Sequence, residues 1–148
     1  MKKLLMAGAL ALVAAAPASA ASIDTTHTIR ASGTVRSANT TGTTGTFRVD
    51  FHKGPGHKVT YMDRAGGVSF HSQAITFVNF TNASQAQLSG WAVKIKGWGY
   101  ANGKKVPFTA IAVDHPARLG TDIFRISFGH GASLGGKLQF GGIKILQL

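Results

Sequence analysis

The chain contains no cysteine and no glutamate. Without a thiol it has no disulfide staple and no thiolate metal site, since three Met are the remaining sulfur donors. Without Glu, its five acids are all Asp. Five acids leave little from which to build a hard-cation cage or a facing pair of catalytic carboxylates. Leucine is scarce as well: past residue 20 there are six, against 14 Thr, 9 Ile and 8 Val. Those β-branched types are stiff at χ1 and suit a pleated surface. No apolar repeat of helical period occurs after residue 20, which argues against a mainly helical protein. Nor does any later run approach the roughly 18 apolar residues of a membrane helix. At 148 residues the chain makes one ordinary domain.

What is present begins with an address. Lys2 and Lys3 precede a short apolar run from Leu4 to Ala16, and Ala18-Ser19-Ala20 supplies a small-residue cleavage pattern. The expectation is a signal peptide over 1–20 and a single β-domain over 21–148, secreted or periplasmic, with no integral membrane span. Taking Lys2 and Lys3 from the 16 Lys and Arg leaves 14 against five Asp, a surplus of nine. Such a surplus attracts polyanions such as nucleic acid or acidic glycans, although scattered basic residues also serve plain solubility.

Alternation of period two recurs along the chain between Gly, Asn and Ser breaks. It predicts strands over 27–36, from Phe47 to His52 and from His57 to Asp63, with Gly54-Pro55-Gly56 turning between the last two. Further short strands follow over 68–71 and 75–80. A long hairpin has arms over 86–101 and 104–114, and Asn102-Gly103 between them marks a type I′ turn. Strands over 122–128, 137–140 and 143–148 complete the chain. The predicted fold is all-β, an antiparallel β-sandwich or flattened barrel of about nine short strands.

Gly56-His57-Lys58-Val59-Thr60-Tyr61-Met62-Asp63, followed by Gly67-Val68-Ser69-Phe70-His71-Ser72, resembles the core motif of the small secreted bacterial post-COAP domains. The hairpin from Ile95 through Asn102-Gly103 to Asp114 is similar to that family's second hairpin, as are 122–126 and 134–140. The resemblance spans roughly residues 30–145. It implies an all-β secreted module and implies no reaction, cofactor or site residue. The chain departs from the pattern at His115 to Thr121, where relatives tend to be acidic. It departs again at Lys94, Lys96, Trp98 and Tyr100, where small polar residues are expected.

In an uninterrupted strand Val93, Ile95, Gly97, Gly99 and Ala101 share one side and Lys94, Lys96, Trp98 and Tyr100 the other. On the return arm Val106, Phe108, Ala110 and Ala112 point inward. Rings stack on sugars or bases and lysines attract phosphate or carboxylate. Lys94, Lys96, Trp98, Tyr100, Lys104 and Lys105 are therefore the candidate binding residues for a polyanion or glycan. The competing readings are that a protein partner or a second copy of the chain covers this face, or that a bulge at Gly97 or Gly99 sends Trp98 inward.

The histidines at 27, 52, 57, 71, 115 and 130 show no metal-ligand spacing and read as solvated loop or strand-end residues, although His52 and His57 flank one turn. Asp63, Asp114 and Asp122 read as turn carboxylates that accept from nearby backbone N–H groups. No nucleophile elbow occurs. The sequence thus predicts a non-enzymatic binding or surface-interaction module without metal or cofactor. An accessory or hydrolytic enzyme of cell-wall polymers and a small outer-membrane β-barrel are the alternatives.

Overall fold

The computed structural model describes residues 22–36, 44–83, 90–115, 122–129, 131 and 133–148. The expected leader, His130 and most of the loop after His115 lie outside the described residues. Nine strands and no helix form among the described residues: β1 (Ser22–Ile23), β2 (His27–Arg36), β3 (Thr44–Phe51), β4 (Lys58–Asp63), β5 (Val68–Asn82), β6 (Trp91–Ala101), β7 (Lys104–Asp114), β8 (Ile123–Phe128) and β9 (Leu134–Gln147). From β2 to β9 each strand pairs antiparallel with its neighbour in sequence, and β9 returns to pair with β2. The result is a closed, eight-stranded meander, so of the two expected architectures the barrel is the one formed. Closure removes the free edges that an open sheet would present to another chain.

The strands divide inside from outside as their sequences dictate. Ile29 and Ala31 of β2, Phe47, Val49 and Phe51 of β3, and Val59 and Tyr61 of β4 are buried, while Arg30, Ser32, Arg48, Lys58 and Met62 between them are exposed. Inside, rings from distant strands meet. Phe47 lies flat on Phe124 of β8 at 4.1 Å, and Phe70 contacts Phe108 at 5.0 Å and Phe128 at 4.7 Å. An eight-stranded barrel is just narrow enough for side chains to fill it. The centre is accordingly a packed apolar core with a polar exterior.

Three departures from the predicted strands have physical causes. Residues 68–71 and 75–80 are parts of one strand, β5, whose register shifts at Ser72/Ala74 and again at Ile75/Phe77. Two one-residue insertions cancel, so Phe70 and Phe80 both face inward while the alternation between them is scrambled. Residues 137–140 and 143–148 likewise belong to one strand, β9, irregular opposite Thr34/Val35. The third departure is β1, which alternation does not signal. It lies parallel to β5, Ser22 opposite Phe77, beyond the point where β4 stops.

Where strands end early, carboxylates complete the backbone hydrogen bonds. β8 pairs with β9 only as far as Lys137. Further along, the Ile143 N–H donates to Asp122 Oδ2 (3.0 Å) and the Ile145 N–H to Asp114 Oδ2 (2.8 Å). Beyond the end of β4, the Phe80 N–H donates to Asp24 Oδ2 (3.3 Å). Asp63 Oδ1 accepts from the Gly66 N–H (2.7 Å) in the turn after β4. The structural role expected of Asp63, Asp114 and Asp122 is thus present, but Asp114 acts across strands, and Asp122 does so as well as accepting from the His115 N–H (3.0 Å) in its own connection. Burial pushes the Asp114 carboxyl above the usual range, with the neighbouring Asp122 adding to the rise and the Ile145 N–H opposing it. Asp114→Ala leaves the Ile145 N–H unpartnered and is expected to cost about 1–3 kcal/mol in urea unfolding at neutral pH. Asp114→Asn, which keeps an acceptor and drops the desolvated charge, is expected to recover most of that loss.

Candidate functional site

The β6–β7 hairpin forms because its turn suits it. Asn102 and Gly103 both take positive φ (50° and 79°), as a type I′ turn requires. The Asn102 side chain also ties this turn to the β4–β5 turn: it accepts from the Ser69 N–H and donates to the Gly67 carbonyl, both at 2.8 Å. The strand parity read from the sequence holds. Val93, Ile95, Gly97 and Gly99 face in with Phe108, Ala110 and Ala112, and no bulge interrupts β6 against β7. Gly97 is required by its neighbour rather than by its own backbone. A Cβ there would run into the Ala74 carbonyl, where β5 bulges over β6. Gly97→Ala is therefore expected to lower the urea midpoint, by an overpacking cost of roughly 1–3 kcal/mol, whereas Trp98→Ala on the outer side shifts it far less.

The outer side carries Lys94, Lys96, Trp98 and Tyr100. Both lysines are exposed, Trp98 is 45% exposed and Tyr100 is half-buried. Lys94 pairs with Ile111, Lys96 with Thr109, Trp98 with Pro107 and Tyr100 with Lys105. The rings already hold polar partners. Lys105 Nζ lies 5.7 Å from the Trp98 ring centre, Lys96 Nζ lies 5.4 Å from that of Phe77, and the His71 ring stacks on Tyr100 at 5.5 Å. Lys96 and Trp98 also line a surface depression of about 240 Å³ with Thr76 and Thr109. Lys104 is the candidate that the structure does not bring to this group. It pairs with Ala101, so it projects on the other side of the hairpin, exposed at its tip.

Two contributors escape a reading of the sequence. Arg125 of β8 pairs with Ile111, whose other neighbour is Lys94. That places Lys94 and Arg125 two strand spacings apart, roughly 10 Å, on one outer row. Phe77 supports Lys96 from β5. The alternation of Phe124 and Ile126 marks Arg125 as outward, but the β7–β8 register that sets it beside Lys94 has no local signature.

The cations on this surface have almost no acids to meet. Among the described lysines and arginines, Arg48 is the one within ion-pair distance of a carboxylate, 4.0 Å from Asp50. Asp50 also lies 3.1 Å from His52 Nδ1. Asp63 and Asp114 are buried, and Asp24 and Asp122 bond backbone donors.

His52 and His57 do come together across their turn, with ring centres 5.8 Å apart, while His57 packs on Phe51 at 4.4 Å. No group of three or more metal-ligating side chains occurs among the described residues. His27 corrects the expectation of solvated histidines. As the first residue of β2 it shares the inward parity of Ile29, is buried, and packs at a tilt against Trp91 of β6, ring centres 4.1 Å apart. Burial holds the His57 imidazole below its ordinary value of 6.5, with the His52 charge adding to the depression and Asp50 opposing it. A depressed histidine favours the neutral folded form, so its stabilising contribution is complete above about pH 6.5 and fades as the pH falls below that. Wild-type protein is expected to lose urea stability between about pH 7.5 and pH 5. His57→Gln, lacking the titrating ring, is expected to lose less.

No family model, no curated protein and no solved structure matches the chain, so the reading of this surface rests on its own geometry.

Proposed function

We propose that the chain is an exported, non-enzymatic β-barrel module that binds an anionic polymer through the outer face of the β6–β7 hairpin. The observation that carries this reading is the absence of acidic partners for Lys94, Lys96, Lys105 and Arg125 around an exposed indole. Unpaired surface cations raise the local concentration of polyanions and bind them by releasing counterions. The ligand is acidic rather than a neutral glycan, because the Lys105 ammonium sits over the Trp98 ring. An incoming polymer meets charge before it meets a bare ring face. The leader-like residues 1–20 would supply the export, and the resemblance to post-COAP domains fits a secreted β-module without adding a ligand.

The competing readings gain less support. A second copy docked on the same patch about a two-fold axis would set like charges against one another. A membrane barrel needs an apolar exterior, whereas here Arg30, Arg48, Lys94, Lys96 and Lys144 point outward around an apolar core. No arrangement of acids or nucleophiles among the described residues favours hydrolysis.

The test is retention on a heparin matrix. Wild-type protein is expected to bind at low salt and elute as salt rises. Lys94→Ser/Lys96→Ser is expected to elute earlier than Lys53→Ser/Lys58→Ser, with a log–log salt slope smaller by roughly 1.4–1.8 for the two charges removed. Equal losses from both double variants would mean diffuse charge without a site, and wild-type protein passing through at low salt would remove the proposal altogether.

A further inference from the structure

One outward row crosses most of the barrel at right angles to its strands. Arg48 of β3 is paired with Thr60 of β4, Thr60 with His71 of β5, His71 with Tyr100 of β6, and Tyr100 with Lys105 of β7. None of these five is buried, and Arg48, His71 and Lys105 are exposed. At roughly 4.8 Å per strand, the row from Arg48 to Lys105 covers about 19 Å. Two surface depressions lie along its far end, one of about 450 Å³ and the other of about 380 Å³. Arg48 borders both. The larger also contains Arg30 and is open because Ser32 and Gly142, neighbours in the same row, put little side chain there. The smaller runs from Arg48 and Thr60 to His71, and His71 stacks on Tyr100. Lys105, beside Tyr100, then reaches over Trp98.

The geometry points to a continuous groove that takes an anionic polymer past the hairpin face, along Tyr100 and His71, to a second cationic anchor at Arg30 and Arg48. This rests on the polymer-binding reading above and deepens it: the ligand is a chain long enough to span both anchors, not a single acidic group. Two features fit a chain lying flat. Between the anchors Thr60 and Ser69 offer hydroxyls beside the exposed Met62, and no acid lines the depression. At the anchor itself Asp50 is present, but Arg48 and His52 flank its carboxylate. Arg48, two-thirds exposed, keeps most of its guanidinium free to turn toward a ligand. The two anchors act as linked sites on one polymer, so occupation of the first raises the effective concentration at the second.

The experiment compares a heparin tetrasaccharide with a heparin chain of about 20 saccharides, each titrated into the purified full-length protein and into two double variants. Wild-type protein is expected to bind the long chain at least about tenfold more tightly. Arg30→Ser/Arg48→Ser is expected to lose that advantage while its tetrasaccharide affinity stays within about twofold. Lys53→Ser/Arg64→Ser removes the same charge elsewhere and is expected to keep the advantage. Long-chain affinity unchanged in the Arg30/Arg48 variant would overturn the groove and leave the hairpin site standing. So would equal losses from both variants, or a tetrasaccharide affinity that falls with the Arg30/Arg48 pair. If wild-type protein binds neither probe, the polymer-binding reading itself fails. A second measurement needs no variant: the long chain, and not the tetrasaccharide, is expected to shift the backbone amide resonances of Thr60 and His71. Amides that stay still with both ligands bound would overturn the groove.

Discussion

The acids of this protein hold its backbone together, and that commitment decides what its surface can do. A barrel made of strands of unequal length leaves N–H groups unpartnered wherever one strand outruns its neighbour. Asp24, Asp114 and Asp122 fill three such gaps, accepting from Phe80, Ile145 and Ile143, and Asp63 closes a turn. A buried N–H left unpaired costs more than an ordinary hydrogen bond gains, so these carboxylates are not free to serve the surface. Among the described residues, Asp50 is the one of the five within ion-pair distance of a basic side chain. The other described lysines and arginines have no carboxylate within ion-pair distance, which is what supports reading an outside anion as their partner.

The barrel gives those cations a fixed geometry. β2 pairs with β9 over most of its length, tying the first antiparallel strand to the last. Interior rings lock opposite walls together, Phe47 on Phe124 and His27 on Trp91. Side chains on such a wall stand at the spacing of the sheet, with little backbone freedom to lose on binding. Cation–ring contacts limit the reach of Lys96 and Lys105 further. A preorganised row of charges suits a repeating polymer better than a compact ligand, since both repeat along a line.

Much of this was legible in the sequence, and what was legible was local. The alternation of Val93 to Ala101 and Val106 to Ala112 assigned each side chain to its side, and Asn102-Gly103 located the turn. The strand over 27–36 appeared with the same bounds. What stayed hidden depends on partners far away in sequence. Two cancelling bulges made β5 look like two strands, because alternation fails between Ser72 and Phe77. β1 is two residues long and gains its order from β5. His27 looked like a strand-end histidine until β6 supplied Trp91 as its neighbour. The proposed second anchor was out of reach for the same reason: Arg48 and His71 are ordinary outward residues in their own strands, only barrel registers align them with Tyr100 and Lys105, and Arg30 lies two residues along β2 from Ser32, the partner of Arg48.

Polymer binding on the hairpin face requires that the ring at 98 be wet and sit in positive potential. In a Trp91→Phe variant the emission comes from Trp98 alone, and its quenching by iodide can be set against quenching by caesium at equal, low ionic strength. Iodide is expected to quench strongly and caesium weakly, the two converging as sodium chloride is added and the field is screened. Protection from both quenchers, or equal quenching at low salt, would rule out a wet ring in positive potential.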